Sequence, residues 1–282
     1  MEVIDRFVDV GFAMHVREWQ PLQSAAEKRP FLLVHGLASN ARTWDAVGRR
    51  LALAGHWAIA IDQRGHGLSD KLDEGYDFTA VTQDIHTLLD KLGWAEPILA
   101  GQSWGGNVML AFGARYPGRA RQLVFVDGGF LHLQKRGPWE TVSAELRPPQ
   151  LNGTPRTLMK EWLWKAHPQW SEEGVEATLG NFEDMADGTI RPWLTLARHM
   201  QILRAMYDQD PTLLYGQVQE PVLLCVADEG GERAIPKREW VETAVAALPH
   251  AEVTWFAGAA HDIHVDRPDE LTARFLQFAA QA

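Results

Sequence analysis

The stretch Gly101-Gln102-Ser103-Trp104-Gly105-Gly106 sets one hydroxyl among glycines, after the apolar run "PILA" (97–100) and ahead of the helix-like "GGNVMLAFGARY". This is the G-x-S-x-G pattern in the strand-to-helix setting that gives it meaning. So sharp a turn crowds its own neighbours. Gly101 and Gly105 leave room for Ser103 to point into a cleft, and Gly106 lets the helix pack closely. The helix N-terminus offers unpaired N–H groups and positive dipole character to a developing oxyanion. The chemistry indicated is nucleophilic attack by Ser103. A serine hydroxyl is a poor nucleophile at neutral pH, so a general base has to take its proton. A purely structural turn is the competing reading.

The elements around the serine form a regular series. "VIDRFVDVGFAMHVREWQ" alternates apolar and polar residues on either side of Asp9-Val10-Gly11, an antiparallel hairpin. Short apolar runs follow, each bounded by turn residues and followed by a helix-like segment: "FLLVH" (31–35), "WAIAID" (57–62), "PILA", "LVFVD" (123–127), "PVLLCVA" (221–227) and "EVTWFA" (252–257). Continuous apolar strands belong in sheets covered by helices on both faces. The alternation predicts an α/β fold with right-handed crossovers and a mostly parallel sheet, its ligand site at the carboxyl ends of the strands.

Between about Gly129 and Pro211 the rhythm breaks, and no strand-like run is visible. "TPRTLMKEWLWKAH", "SEEGVEATLGNF" and "RPWLTLARHMQILRAMY" carry apolar residues at helical spacing. The reading is a helical lid over 129–211 inserted into a body made of 1–128 and 212–282. The lid holds Trp139, Trp162, Trp164, Trp170 and Trp193. They either pack the lid onto the body or line an apolar or aromatic-substrate pocket; Trp162, Trp164 and Trp193 are the substrate-binding candidates.

Composition bounds the function. The chain has 282 residues, 46% hydrophobic and 23% charged, an ordinary globular balance. A net charge of −10 argues against a nucleic-acid or anionic-membrane surface. Cys225, the single cysteine, excludes an intramolecular disulfide and sits in an apolar run, where a buried, inert thiol is expected. The N-terminus lacks a signal pattern and no run reaches the ~18 apolar residues of a membrane span. A cytoplasmic enzyme or binding protein acting on a small molecule, as monomer or homodimer, fits these bounds. No cofactor is implied: there is no G-x-x-x-x-G-K-[ST] run, and "GQSWGG" lacks G-x-G-x-x-G spacing.

Four motifs in order resemble the α/β-hydrolase fold family over essentially the whole chain. "VHGLASNARTWDAV" (34–47) is similar to the family's His-Gly loop, "DQRGHGLSD" (62–70) to its D-x-R-G-x-G-x-S loop, "GQSWGG" to its nucleophile elbow, and "GAAHDIHVDRPDEL" (258–271) to the segment with its catalytic histidine. The resemblance implies His261 as the base, although Ala260 stands where the family usually has glycine. It implies an oxyanion hole formed by the backbone N–H groups of Leu37 and Trp104. His264 is a second candidate base. A metal set of His261, Asp262 and His264 lacks the helix or distant third ligand such a site needs. His35, His66, Asp62 and Arg64 read as residues that shape their loops.

The acid that orients the histidine is ambiguous. Most of the family places it after the strand matching "PVLLCVA", at a register that falls here on Gly230; Asp228, Glu229 and Glu232 are near but off register. Some haloalkane dehalogenases and a lactone-hydrolysing branch use a carboxylate after the preceding strand, which here is Asp127. Asp127 is the first expectation and Asp228 the alternative. With serine at position 103 the resemblance implies a hydrolase working through an acyl-serine, an esterase or lactonase for a smallish apolar or aromatic substrate. Cleavage of C–C bonds or amides, and perhydrolase or haloperoxidase-like chemistry, use the same triad. A ligand-binding, receptor-like protein with little turnover is the alternative of another class.

Overall fold

The computed structural model describes residues 3–22, 28–230 and 234–281, with side chains from 236 onward in the last segment. The predicted hairpin is β1 (Val3–Asp9) and β2 (Ala13–Trp19), paired antiparallel from Val3 opposite Trp19 to Asp9 opposite Ala13. The apolar runs become β3 (Phe31–Val34), β4 (Ala58–Ile61), β5 (Ile98–Gln102), β6 (Gln122–Val126), β10 (Val222–Asp228) and β11 (Ala251–Ala257). They form one eight-stranded sheet in the order β1-β2-β4-β3-β5-β6-β10-β11. From β4 to β11 every pairing is parallel, and β2 joins β4 antiparallel.

Because successive strand residues face opposite sides, each run feeds two cores. Leu32, Val34, Ile59 and Ile61 meet α2 (Phe78–Leu92) and α3 (Trp104–Arg115) on one face. Phe31, Leu33, Ala58 and Ala60 meet α1 (Asp45–Leu53) and α9 (Pro268–Ala279) on the other. Burial on both faces is why these strands carry no polar alternation. Cys225 is buried among them, and burial pushes its thiol up, keeping it protonated.

The insert between β6 and β10 departs from the expected three helices. It contains α4 (Trp139–Glu145), α5 (Arg156–Ala166), α6 (Glu172–Leu179) and α7 (Leu196–Asp208). It also contains a three-stranded antiparallel sheet of β7 (Thr154–Pro155), β8 (Phe182–Asp184) and β9 (Thr189–Pro192), in the order β7-β9-β8. Strands of two to four residues are too short to show a period of two. "RPW", read as the start of a helix, is the end of β9 and the turn after it.

Both roots of the cap are tied to one side chain on α3. Asn107, fully buried, accepts from Gly129 N–H at 2.9 Å and Leu131 N–H at 3.3 Å. Its amide donates to Leu131 O at 2.9 Å and to Gln209 Oε1 at 2.8 Å. Removing it strands backbone groups of Gly129 and Leu131 on one hinge and the side-chain carbonyl of Gln209 on the other. Asn107→Leu is expected to cost about 3 kcal/mol in urea unfolding; a loss below about 0.5 kcal/mol would mean the cap is held elsewhere.

Candidate active site

The nucleophile candidate sits on a strained turn. Ser103 has φ 54° and ψ −120°, between the end of β5 and the first residue of α3. Its N–H bonds Val126 O at 2.8 Å and its carbonyl accepts from Gly106 N–H at 2.9 Å, which fixes the turn. The glycines answer to backbone crowding. A Cβ on Gly101 would lie 2.1 Å from Gly105 O, on Gly105 2.5 Å from Val34 O, and on Gly106 2.8 Å from the Gly128 carbonyl carbon. These contacts are with backbone and cannot be relieved by moving a side chain. Among the described residues only Ala38, Ser103 and Asp127 are non-glycine with positive φ, at 59°, 54° and 44°. Backbone strain in this molecule is gathered at one place.

Asp127 follows β6, and its carboxylate is almost fully buried. Oδ2 accepts from His261 Nδ1 at 2.6 Å, and Oδ1 accepts from Ala227 N–H at 3.0 Å. Lys237 Nζ, on α8 (Ala234–Ala247), donates to Oδ1 at 3.1 Å and Oδ2 at 3.0 Å. Burial works to raise the carboxyl pKa, but the hydrogen bond and charge of His261, with Lys237, outweigh it and hold Asp127 below the usual carboxylate range. Asp228 takes another role: Oδ2 accepts from Arg238 at 2.6 Å and Oδ1 from Gly230 N–H at 3.2 Å, and it makes no bond to His261. Gly230 is a turn residue at φ +72°. Glu232 lies outside the described residues.

His261 stands beyond β11 with its side chain 46% exposed. Desolvation works to lower its pKa, while the hydrogen bond and charge of Asp127 prevail and raise it above the ordinary imidazole value. Among the described residues Ser103 Oγ makes no hydrogen bond. Below the pair lies Gln102, buried at the end of β5. Its Nε2 donates to Asp262 Oδ1 at 3.2 Å and His261 O at 3.4 Å, tying the histidine loop to the elbow strand. A Cβ on Gly36 would come within 2.5 Å of Gln102 Oε1 and 3.1 Å of Ser103 Cβ, so the His-Gly loop lies directly against the elbow.

Leu37 follows Gly36 in that loop, and Trp104 opens α3, where its N–H has no intrahelical acceptor. Neither N–H has a partner among the described residues. Two histidines shape the surroundings. His35 Nδ1 donates to Gly36 O at 2.7 Å and Nε2 accepts from Gln63 N–H at 3.1 Å. His66 Nδ1 donates to Arg64 O at 3.0 Å and Nε2 accepts from Ala38 N–H at 3.2 Å, its ring stacked on Trp104. Burial lowers the pKa of both, so both are neutral ties. Asp62 accepts from Ala41 and Leu68 N–H and from His15; against its burial, the hydrogen bond and charge of His15, the nearby His35 and the Leu68 N–H lower its carboxyl to about 2. Arg64 forms a two-pronged pair with Asp84, both bonds at 2.6 Å. His264 is buried against Trp44, and burial lowers its pKa to about 4; its ring nitrogens meet no partner among the described residues. No cluster of metal-ligating residues occurs among the described residues.

Under the cap lies a cavity of about 520 Å³. Its floor includes Ala38, next to Leu37, and His66, the neighbour of Trp104; Ser103 itself does not line it. Trp193, Phe182, Leu151 and Leu194 form apolar wall, and Lys71, Arg191 and Arg198 bring three cations against one lining carboxylate, Glu183. Lys71 gives its protons to His66 O, Gly67 O and Ser69 O and lies against the Trp193 ring. No carboxylate is within 4.0 Å of it among the described residues, and burial lowers its pKa to about 8. His199 lines the same cavity with Nε2 buried and unpartnered, and burial lowers its pKa. Of the three tryptophans expected at the substrate, Trp193 is in the wall and the other two are elsewhere. Trp162 is 45% exposed on the outer face of α5, and Trp164 packs toward Leu163, Trp170 and Val175. Helical spacing showed that α5 has an apolar face without showing that the face meets α6 instead of the cavity.

A parallel sheet with a strained serine at the carboxyl end of a central strand and a histidine–aspartate pair beside it defines an enzyme fold of the hydrolase class. The profile of the alpha/beta hydrolase family matches residues 31–274, and the chain belongs to that family. It is 28% identical over 222 residues to the 2-(acetamidomethylene)succinate hydrolase of Mesorhizobium japonicum, covering 78% of this chain and 76% of the relative. It is 28% identical over 272 residues to the cis-3-alkyl-4-alkyloxetan-2-one decarboxylase of Shewanella oneidensis, covering 89% and 82%. The crystal structure of an E-2-(acetamidomethylene)succinate hydrolase superposes with a TM-score of 0.78 at 26% identity, covering 100% of both chains. No helix among the described residues is long and apolar enough to cross a membrane.

Proposed function

We propose that the protein is a serine hydrolase that opens an ester or lactone through an acyl-Ser103 intermediate. The observation that carries this reading is the 2.6 Å bond from His261 Nδ1 to Asp127, beside a serine held at φ 54°. Asp127 fixes the proton on Nδ1, which leaves Nε2 free to take the Ser103 proton as Oγ attacks the substrate carbonyl. The oxyanion is received by the N–H groups of Leu37 and Trp104. His261 then returns its proton to the leaving group, and water activated by the same Nε2 releases the acid. Serine at 103 disfavours the carboxylate-nucleophile chemistry of epoxide hydrolases and dehalogenases.

The cavity supports a substrate with an apolar body and an anionic end. In a chain of net charge −10, the recess holds Lys71, which pairs with no carboxylate among the described residues, beside Arg191 and Arg198, which pair with Glu183 and Asp73; Lys71 is the cation that favours an anion there. The relative named for a succinate accords with this; the other relative is named for decarboxylating an oxetan-2-one, a four-membered lactone ring, and shares with the proposal the lactone as substrate class only.

The test is steady-state hydrolysis of the p-nitrophenyl hemiester of succinic acid beside p-nitrophenyl butyrate, with wild type and Ser103→Ala. The hemiester is expected to have kcat/KM about tenfold higher, a difference of ~1.4 kcal/mol, with neither ester turned over by the variant. Equal rates sink the anionic end, and loss of both activities in wild type sinks the ester reading. A burst of one equivalent with no further turnover would favour the receptor-like alternative.

A further inference from the structure

We propose that Lys237 is a positioning residue of the His261–Asp127 pair, a fixed cation that holds the Asp127 carboxylate in place and offsets the charge it presents to the imidazole. This rests on the reading of Asp127 as the acid. Lys237 projects from α8 and spends all three ammonium donors at one point: on Asp127 Oδ1 at 3.1 Å, Asp127 Oδ2 at 3.0 Å and Ala227 O at 3.1 Å. Ala227 N–H in turn donates to Asp127 Oδ1 at 3.0 Å. The carboxylate is therefore held by a cation, a backbone donor and the imidazole, with one rotamer satisfying all three. A surface ion pair of ordinary kind is worth little. This one differs, because the Asp127 side chain is 2% exposed while that of Lys237 is 24% exposed.

The pairing has a chemical consequence. A lone buried aspartate would draw a proton onto His261 strongly, trapping the base as imidazolium at neutral pH. Sharing its charge with Lys237 weakens that pull. The groups facing His261 are Asp127 from the end of β6, Lys237 from α8, and Asp262 and His264 from its own loop. The two carboxylates favour the imidazolium, and Lys237 opposes it. Removing the Lys237 charge leaves the carboxylates unopposed, so the imidazole pKa rises and activity that needs neutral His261 is lost at a higher pH.

The experiment compares wild type with Lys237→Met and Lys237→Arg by two readouts. One is the acid limb of kcat/KM for a p-nitrophenyl ester. The other is the NMR titration of the His261 ring C–H, assigned by its absence in His261→Gln. Lys237→Met is expected to move both upward by about one pH unit, and Lys237→Arg, which keeps the charge, to return both toward wild type. An unmoved titration in Lys237→Met, with only a lower melting temperature or a uniformly lower kcat, would reduce Lys237 to a tie between α8 and β10 and overturn the proposal. The ring titration needs no turnover. A protein inactive on esters whose His261 still shifts retains the proposal and loses the ester reading; an active protein with no shift does the reverse. If Lys237→Met does not fold, the wild-type versus Lys237→Arg comparison together with Lys237→Gln carries the same test, and coincident titrations of wild type and Lys237→Gln overturn it.

Discussion

Ser103→Ala is expected to lower kcat on any acyl substrate by a factor on the order of 10⁶, with the protein folded and KM little changed. The size follows from the role. Without Oγ no acyl-enzyme forms, and what remains is binding, the oxyanion donors and a histidine that activates water at the wrong distance. The fold should tolerate the change, because Oγ makes no hydrogen bond among the described residues and the turn is held by Ser103 backbone groups bonded to Val126 and Gly106. Alanine at φ 54° is as strained as serine, so the melting temperature should move by no more than a few degrees. Steady-state kinetics beside calorimetry checks both halves. A variant keeping more than about a hundredth of wild-type kcat would remove Ser103 from the chemistry.

Asp127→Asn is expected to cost on the order of 10⁴ in kcat, whereas Asp228→Asn should stay within about threefold of wild type. The carboxylate fixes the His261 tautomer with its proton on Nδ1. An asparagine amide can present N–H to Nδ1 instead, which moves the imidazole proton to Nε2 and faces Ser103 with a donor. Asp228 has no such hold, being bonded to Arg238 and Gly230 N–H. Its loss should be felt in the turn after β10, as a small drop in stability. Asp127→Asn also leaves Lys237 without its counter-charge, so part of the effect will be structural. The pH profile separates the two: a tautomer defect lowers kcat across the whole range, while local disorder broadens the unfolding transition. The reverse ranking of the two variants would return the acid to the end of β10.

Much of this was legible in the sequence, and what was not has a common cause. The strands were readable because both faces of the sheet are buried, which forces continuous apolar runs such as Phe31–Val34 and Val222–Ala227. The elbow was readable because backbone crowding admits only glycine at 101, 105 and 106. The carboxylate was harder. Asp127 and Asp228 each end an apolar strand, and only the turn geometry decides that the His261 ring is reached by Asp127, 134 residues away, and not by Asp228, which is far nearer in sequence. The contacts of Gln102 with the His261 loop and of Lys237 with Asp127 are tertiary facts with no local pattern; a lysine one helical turn into α8 carries no mark of its partner. In the cap, helical periodicity located α5, α6 and α7 but could not orient them, so Trp162 and Trp164 were placed at the substrate although their helix turns elsewhere. The strands of the cap sheet are too short and too rich in proline for any periodic signal.

A nucleophilic Ser103 driven by His261 and Asp127 should be captured by a fluorophosphonate, with the product read by intact-mass and peptide mapping. Wild type should gain one phosphonyl group, on the peptide holding Ser103. Ser103→Ala should gain none, and Asp127→Asn should label by the same stoichiometry but slower by a factor on the order of 10³ to 10⁴. A wild-type protein that stays unlabelled, or that carries the group on another residue, would contradict the account.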